Sequence, residues 1–257
     1  MKEKEKREAG SVIIGRNPVT EALKSGHEME KLVIAKGSEK SLGKIIAMAK
    51  DRGVPVYYQD RQRLDAAAEG GAHQGVAAWV SGYTYLGIEE ILQRAEEKGE
   101  DPLVVLLDGI EDPHNLGAII RSADGAGAHG VIIPKRRAAG ITQTAAKASA
   151  GAVEYMPVAR VSNLVQVIGE LKEKGFWIAA ADMEETPYYR KDLKGRLGLV
   201  IGGEGKGVSK LVKEHCDFVV SLPMKGRVTS LNASCAAAVL LYEIRRQRDE
   251  AGLQQGL

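Results

Sequence analysis

Short apolar runs alternate with helically spaced stretches along nearly all of the 257 residues. In the N-terminal part, residues 11–15, from Ser11 to Gly15, read as a short strand, and Asn17-Pro18 as a cap and first-turn pair for a helix that Gly26 ends. Residues 31–35 form a second strand, 42–52 an amphipathic helix stopped by Gly53, and 54–58 and 75–80 two further strands. Strands alternating with helices over this length build a small α/β sandwich. A second series begins at the fully apolar run 103–107. After it, Leu116, Ile119, Ile120, Ala123 and Ala126 recur at helical spacing, so a helix packs one face on a sheet. Strands at 130–134, 153–158, 176–181, 197–201 and 218–222, helices at 145–150 and 161–174, and a long Ala-rich segment complete a mostly parallel sheet.

The last two strands each end in a loop that cannot continue a ladder. Gly202-Gly203-Glu204-Gly205-Lys206-Gly207 follows the first, and Pro223-Met224-Lys225-Gly226 then Thr229-Ser230-Leu231-Asn232-Ala233-Ser234 follow the second. Two flexible turns at one sheet edge predict a ligand pocket. The Gly loop fits neither common nucleotide pattern, since Gly207 stands where a phosphate loop needs Ser or Thr and the spacing is not that of the dinucleotide fingerprint. Ser230 and Asn232 stand where the Ala-rich helix opens, beside free N–H groups and the positive end of its dipole. A helix cap accounts for Ser230 equally well. It does not account for Asn232, a poor helix former read as lying just inside the helix. Arg16, Asn17, His73 and Gln74 fall at strand–helix junctions, where surface or capping roles are the simpler account. Arg121 projects from a separate face of its helix, and Lys135-Arg136-Arg137 is a compact basic cluster suited to a phosphate backbone.

Composition narrows the class. The hydrophobic (44%) and charged (27%) fractions are ordinary globular values, and the length suits one large or two modest domains. A net charge of +2 cannot by itself argue for a nucleic-acid role. Acidic side chains dominate only across 81–101, which reads as an acidic linker with a short helix between a domain at 10–80 and another at 102–250. No apolar run approaches the roughly 20 residues that span a bilayer, and residues 1–8 alternate Lys and Glu, so the expectation is a cytoplasmic protein with no membrane partner. Cys216 and Cys235 lack pairing or ligand spacing, and only His215 lies beside one of them; neither a disulfide framework nor a metal site is indicated.

Three groups of residues then carry a resemblance. Asn115-Leu116-Gly117-Ala118 with Arg121, Ile201 to Gly207, and Leu222-Pro223-Met224 with Ser230-Leu231-Asn232-Ala233-Ser234 resemble, in order, the three motifs of the SpoU/TrmH family. These are RNA ribose 2′-O-methyltransferases of the SPOUT class. Residues 10–80 resemble the ribosomal-protein-like RNA-binding domain of RlmB-type members, so the likeness covers nearly the whole chain. It implies an α/β SPOUT domain whose parallel sheet ends in a deep trefoil knot, a rare exception to unknotted topology, and an N-terminal substrate-binding domain.

The resemblance further implies S-adenosylmethionine held against Gly202, Leu222 and Leu231, with Gly203 and Met224 as neighbours. The implied substrate is a guanosine of 23S ribosomal RNA, and the implied unit a homodimer in which the motif-one Arg reaches the other protomer's pocket. Arg121 would orient the ribose hydroxyl and hold a phosphate able to accept its proton, rather than act as a base, because a guanidinium hardly ever loses its proton. Asn115, Ser230 and Asn232 would fix the ribose or Arg121, and Glu204 would brace the Gly loop or Arg121. Alternatives are another rRNA or tRNA site, a non-catalytic RNA-binding ribosome-assembly protein, and an unrelated nucleotide-binding enzyme. Intact Asn115, Arg121 and Asn232 argue against the second, and the missing phosphate-loop patterns against the third.

Overall fold

The two series of strands build two sheets, seen in a computed structural model that describes residues 12–24, 29–68, 70–80, 82–183 and 186–255, without the side chains of 252–255. Ser11, Gly26 and the charged segment 1–8 lie outside the described residues. The chain divides into two units, one running to Thr84 and including Gly140–Gln143, the other comprising Tyr85–Ala139 and the remainder from Thr144.

The first unit holds β1 (Val12–Ile14), α1 (Arg16–Lys24), β2 (Met29–Ala35), α2 (Gly43–Asp51), β3 (Val56–Gln59), α3 (Arg61–Ala67) and β4 (Val76–Val80). Its four-stranded sheet has the order β1-β4-β2-β3, with β2 and β3 parallel and the other pairs antiparallel. Side chains alternate along β2 and so serve two cores. Leu32 and Ile34 pack with Val19, Leu23, Ile45 and Ile46 of α1 and α2, while Val33 and Ala35 meet Leu64 of α3. The sequence pattern does not announce α3, because Leu64 is its one fully buried large side chain and no apolar stripe recurs.

The second unit contains α4 (Ile88–Glu97), β5 (Leu103–Asp108), α5 (Pro113–Gly125), β6 (Gly130–Pro134), all but the first residue of α6 (Gln143–Ala148), β7 (Val158–Val161), α7 (Leu164–Glu173), β8 (Trp177–Ala181), β9 (Leu197–Gly202), α8 (Lys210–His215), β10 (Phe218–Val220) and α9 (Ala233–Gln255). Every pairing in its six-stranded sheet, β10-β8-β9-β5-β6-β7, is parallel. The short helix expected within the acidic stretch is α4, and it is structural: Ile91 and Leu92 sit in the sheet's core, with Ile91 over Gly130, where a Cβ would not fit. The strand expected at 153–158 is displaced. Ala152–Glu154 instead forms a 3₁₀ turn that buries Ala152 and Val153, and pairing begins only at Val158, after Pro157, which has no N–H for a ladder. The helix expected from residue 161 starts at Leu164, where the Asn163 side chain accepts from the Val165 and Gln166 N–H groups.

Strand order decides where a ligand can sit. From β5 the chain steps to β6 and β7 on one side, whereas β9 leads through α8 to β10 on the other. Connections diverge between β5 and β9, and the crevice beyond the carboxyl ends of that pair is where open α/β sheets bind ligands. Asp108 and Gly202, the last residues of the two strands, are register partners there.

At the other end of β5, the buried His129 ring bridges two segments. Its Nδ1 accepts from the Leu103 N–H (3.0 Å), and Nε2 lies 3.0 Å from Glu100 Oε2. Burial lowers the imidazole pKa, and the Glu100 carboxylate only partly opposes this. The folded protein therefore favours neutral His129, so its contribution is complete above an unfolded value near about 6.5 and is lost as pH falls. His129→Ala should cost about 1–3 kcal/mol by stranding the Leu103 N–H. Urea melts from pH 8 down to pH 5 should show the wild-type advantage shrinking with acidity; a constant difference would contradict the assignment.

Candidate functional site

The crevice is closed by a loop that tolerates no side chain at its root. Gly203 N donates to Asp108 O (2.8 Å), and Gly207 N donates back to Gly203 O (3.0 Å), folding 203–207 into a tight turn. A Cβ at Gly202 would run into the backbone of Gly207 and Val208, and one at Gly203 into the carbonyl of Gly109. These glycines let backbone meet backbone. Asp108 closes the far side, its Oδ2 accepting from Ser209 N (2.8 Å).

Three side chains converge on this loop from distant parts of the sequence. Asn115, buried near the start of α5, donates from Nδ2 to Glu204 Oε1 (3.1 Å). Asn232 Nδ2 donates to the same oxygen (2.6 Å) and to Asn115 Oδ1 (2.9 Å), completing a ring of three hydrogen bonds. The other end of Asn232 corrects the sequence reading. Helix α9 begins at Ala233, and Asn232 Oδ1 accepts from the Ser234 N–H (2.9 Å) and Cys235 N–H (3.3 Å). Asn232 is thus the helix cap, the role weighed for Ser230, and is not inside the helix.

An apolar-walled cavity of about 400 Å³ lies beside this cluster. Gly202, Gly203, Glu204, Leu222, Met224, Ser230, Leu231 and Asn232 line it, together with Ile201 and Leu240. Asp182, at the end of β8, also lines it and was not singled out from sequence, although a carboxylate directly after an apolar strand marks such an edge. Burial pushes Asp182 up, but hydrogen bonds from Lys213 Nζ (2.8 Å) and its own neighbour Met183 N (2.6 Å) outweigh it and hold the carboxyl below its ordinary range. A second cavity of about 880 Å³ shares Asn115, Gly203, Glu204, Lys206 and Gly207 with the cluster and its loop.

Arg121 lines neither cavity. It is exposed on α5 and makes no hydrogen bond or ion pair among the described residues. Its helix is nevertheless closely fitted: at Gly117 a Cβ would strike the Ala145 carbonyl of α6. Cys216 is a partly buried thiol whose pKa burial pushes up to about 12, which disfavours the reactive thiolate at neutral pH, and no metal-holding cluster occurs among the described residues.

Comparison with known proteins places this geometry. The SpoU rRNA Methylase family matches residues 102–242, and the family described as RNA 2′-O ribose methyltransferase substrate binding matches residues 12–86. A Bacillus subtilis (strain 168) protein named as a member of the TrmH family of tRNA/rRNA methyltransferases is 49% identical over 242 residues, 93% of this chain and 97% of the relative. The chain is also similar to the SpoU methyltransferase AviRb from Streptomyces viridochromogenes, solved with the cofactor AdoMet (TM-score 0.61, 26% identity, 97% of this chain and 95% of that one). An AdoMet-bound rRNA methyltransferase from Sinorhizobium meliloti gives a TM-score of 0.58 at 25% identity, over 93% of this chain and 87% of that one.

Three substitutions probe the cluster and its loop. Gly203→Ala should lower stability by about 1–3 kcal/mol through overpacking, because the Gly109 carbonyl is backbone and cannot swing aside. Gly205→Ala, whose Cβ would meet open space, carries only the strain of φ +82 and should cost less. The ordering of their melting temperatures tests this. Asn232→Asp keeps the cap acceptor but sets a second carboxylate against Glu204, raising the pair's folded pKa above the unfolded value near about 4. Its deficit relative to wild type should therefore narrow as pH falls from 7.5 to 5.5. A pH-independent deficit would show that the two side chains do not meet.

Proposed function

We propose, because this chain belongs to the SpoU/TrmH family of S-adenosylmethionine-dependent RNA methyltransferases, that it methylates a ribose 2′-hydroxyl of a guanosine in 23S ribosomal RNA, as a cytoplasmic homodimer. The observation that carries the reading is the Asn115–Glu204–Asn232 ring, set where the apolar cavity adjoins a larger, more polar one. Such a site holds a cofactor on one side and a polar acceptor on the other. The family's knotted path for the segment after β9 is part of the same proposal.

The residues present fit S-adenosylmethionine. Ile201, Leu222, Leu231 and Leu240 offer apolar walls, and Gly202, Gly203 and Met224 stand in the same lining, the glycines letting the chain approach a ligand closely. When bound, this cofactor supplies a methyl group on a positively charged sulfur. What remains for the protein is orientation, since placing a reacting oxygen in line is worth several powers of ten in rate. Glu204 is held by two amide donors, so it fixes Asn115 and Asn232 rather than swinging as a free base. Ser230, in the lining of the same cavity, adds a hydroxyl with which to orient the ribose.

Arg121 supports the dimer. It stands four residues before Gly125, hence on the same face of α5, and the Tyr242 hydroxyl of α9 leans on Gly125. Tyr242 (56% exposed) and Val239 (40%) leave α9 with an uncovered apolar strip beside that face. A second copy seated there would cover the strip and bring Arg121 to the partner's cavity.

Arg121→Ala should abolish methyl transfer while leaving cofactor binding by calorimetry intact. Mixed with Gly202→Val subunits, whose loop cannot close, it should regain about a quarter of wild-type activity, since half the randomly exchanged dimers carry one complete site. Two inactive parents that stay inactive after verified exchange would overturn the shared site. Mapping 2′-O-methyl positions in total RNA from a strain lacking the gene tests the target, and loss of a site outside 23S RNA would redirect it.

A further inference from the structure

The basic cluster that follows β6 is not absorbed by the cofactor cavity. It lies instead on the second cavity, where Arg136 and Arg137 stand in one lining with Asn115, Glu204 and Lys206. The loop that carries them is pinned at both ends: Lys135 N donates to Val161 O (2.8 Å), and Ala139 N donates to Ile110 O (2.8 Å), in the segment leading to Asn115. The position of both arginines is therefore set by the same framework that sets the Asn115–Glu204–Asn232 ring.

Two properties single this loop out. Arg137 adopts φ +55, the left-handed region that glycine enters freely and arginine rarely does. A strained, charged residue at the rim of a cavity points to use of its side chain. The second property is which cations lack a partner, since by formal charge the lining is balanced, Arg136, Arg137, Lys206 and Lys210 against Asp108, Glu111, Asp112 and Glu204. Among the lining carboxylates, Asp108 accepts from Ser209 N, Asp112 from His114 N, and Glu204 from two amides. Arg136, Arg137 and Lys206 have no protein partner among the described residues, against one carboxylate, Glu111, in the same condition. The cavity offers unclaimed cations beside a side-chain cluster already committed to itself.

We propose that this cavity receives the RNA strand at the target nucleotide, with Arg136 and Arg137 gripping the phosphates that flank it. This rests on the RNA-methylation reading above. Planar guanidinium groups suit phosphate oxygens, which fix register without reading sequence, and Lys206 on the wall common to both cavities lies toward the cofactor side. Holding the phosphates sets how far the ribose reaches past Asn115.

The test uses the full chain and ribosomal RNA from a strain lacking the gene. Arg136→Ala and Arg137→Gly should each lower kcat/KM for RNA by roughly 10- to 100-fold, with an unchanged Kd for S-adenosylmethionine. Each should also flatten the slope of log affinity against log salt by about one phosphate's worth of counterion release. Arg137→Gly relieves the strained backbone, so its melting temperature should not fall. Lys194→Ala, a surface cation paired with Asp192, serves as the control that leaves the slope alone. Wild-type salt slopes and kcat/KM in both arginine variants would overturn the proposal, as would a loss of activity with an unchanged slope. If wild type transfers no methyl group to any RNA, the functional reading fails instead, and the binding slopes still decide whether this cavity grips RNA.

Discussion

No side chain fits at Gly202 or Gly203, and the arrangement of the site follows from that restriction. With hydrogen alone at these positions, β9 can end against β5 and turn back at once, Gly203 N bonding Asp108 O and Gly207 N bonding Gly203 O. The turn delivers Glu204 to Asn115. It also stands between two cavities, of which the second is larger and lined by more charged residues. A parallel sheet supplies the crevice through its strand order, and the glycines turn that crevice into a partitioned site.

Asn232 couples the partition to the longest helix. One side chain uses its oxygen on the first N–H groups of α9 and its nitrogen on Glu204 and Asn115. An aspartate or serine would cap as well, but neither offers an NH₂ pair to bridge a carboxylate and an amide oxygen. Helix start, Gly loop and motif-one helix thus share one hydrogen-bonded ring, so displacement of any member is felt by the other two. This answers the oddity of a poor helix former at that place: its position is at the boundary, and its amide does two jobs.

Most strands were legible because they are apolar runs bounded by turn residues, and β6 was read from sequence with the bounds it has in the structure, Gly130–Pro134. Helices with a broad apolar stripe, such as α2 and α7, were legible for the same reason. What escaped has little periodic signal: α3 buries a single leucine, α8 a single valine, and Val153 is apolar because it packs under a 3₁₀ turn, not because it pairs in the sheet. The residues around the cavity could be named from motifs, since eight of those singled out line it. Their partners could not, because the ring joins residues 28 and 117 positions apart, and nothing local encodes that closure. Asp182 escaped for a related reason: its anchor, Lys213, arrives from α8, which the sequence did not announce.

Net charge is a poor guide to what this surface attracts. The total of +2 is almost neutral, yet it averages over many carboxylates already engaged with backbone N–H groups, amides or lysines. Such groups keep their charge but have part of it balanced locally, whereas Arg121, Arg136, Arg137 and Lys206 are left without a protein partner among the described residues. A polyanion responds to these unclaimed cations, because each phosphate it places on one releases a condensed counterion, and the gain does not depend on the sum over the chain. The same reasoning limits specificity. Phosphate contacts fix register and leave the choice of base to other groups, so Arg136 and Arg137 can position a strand without identifying it.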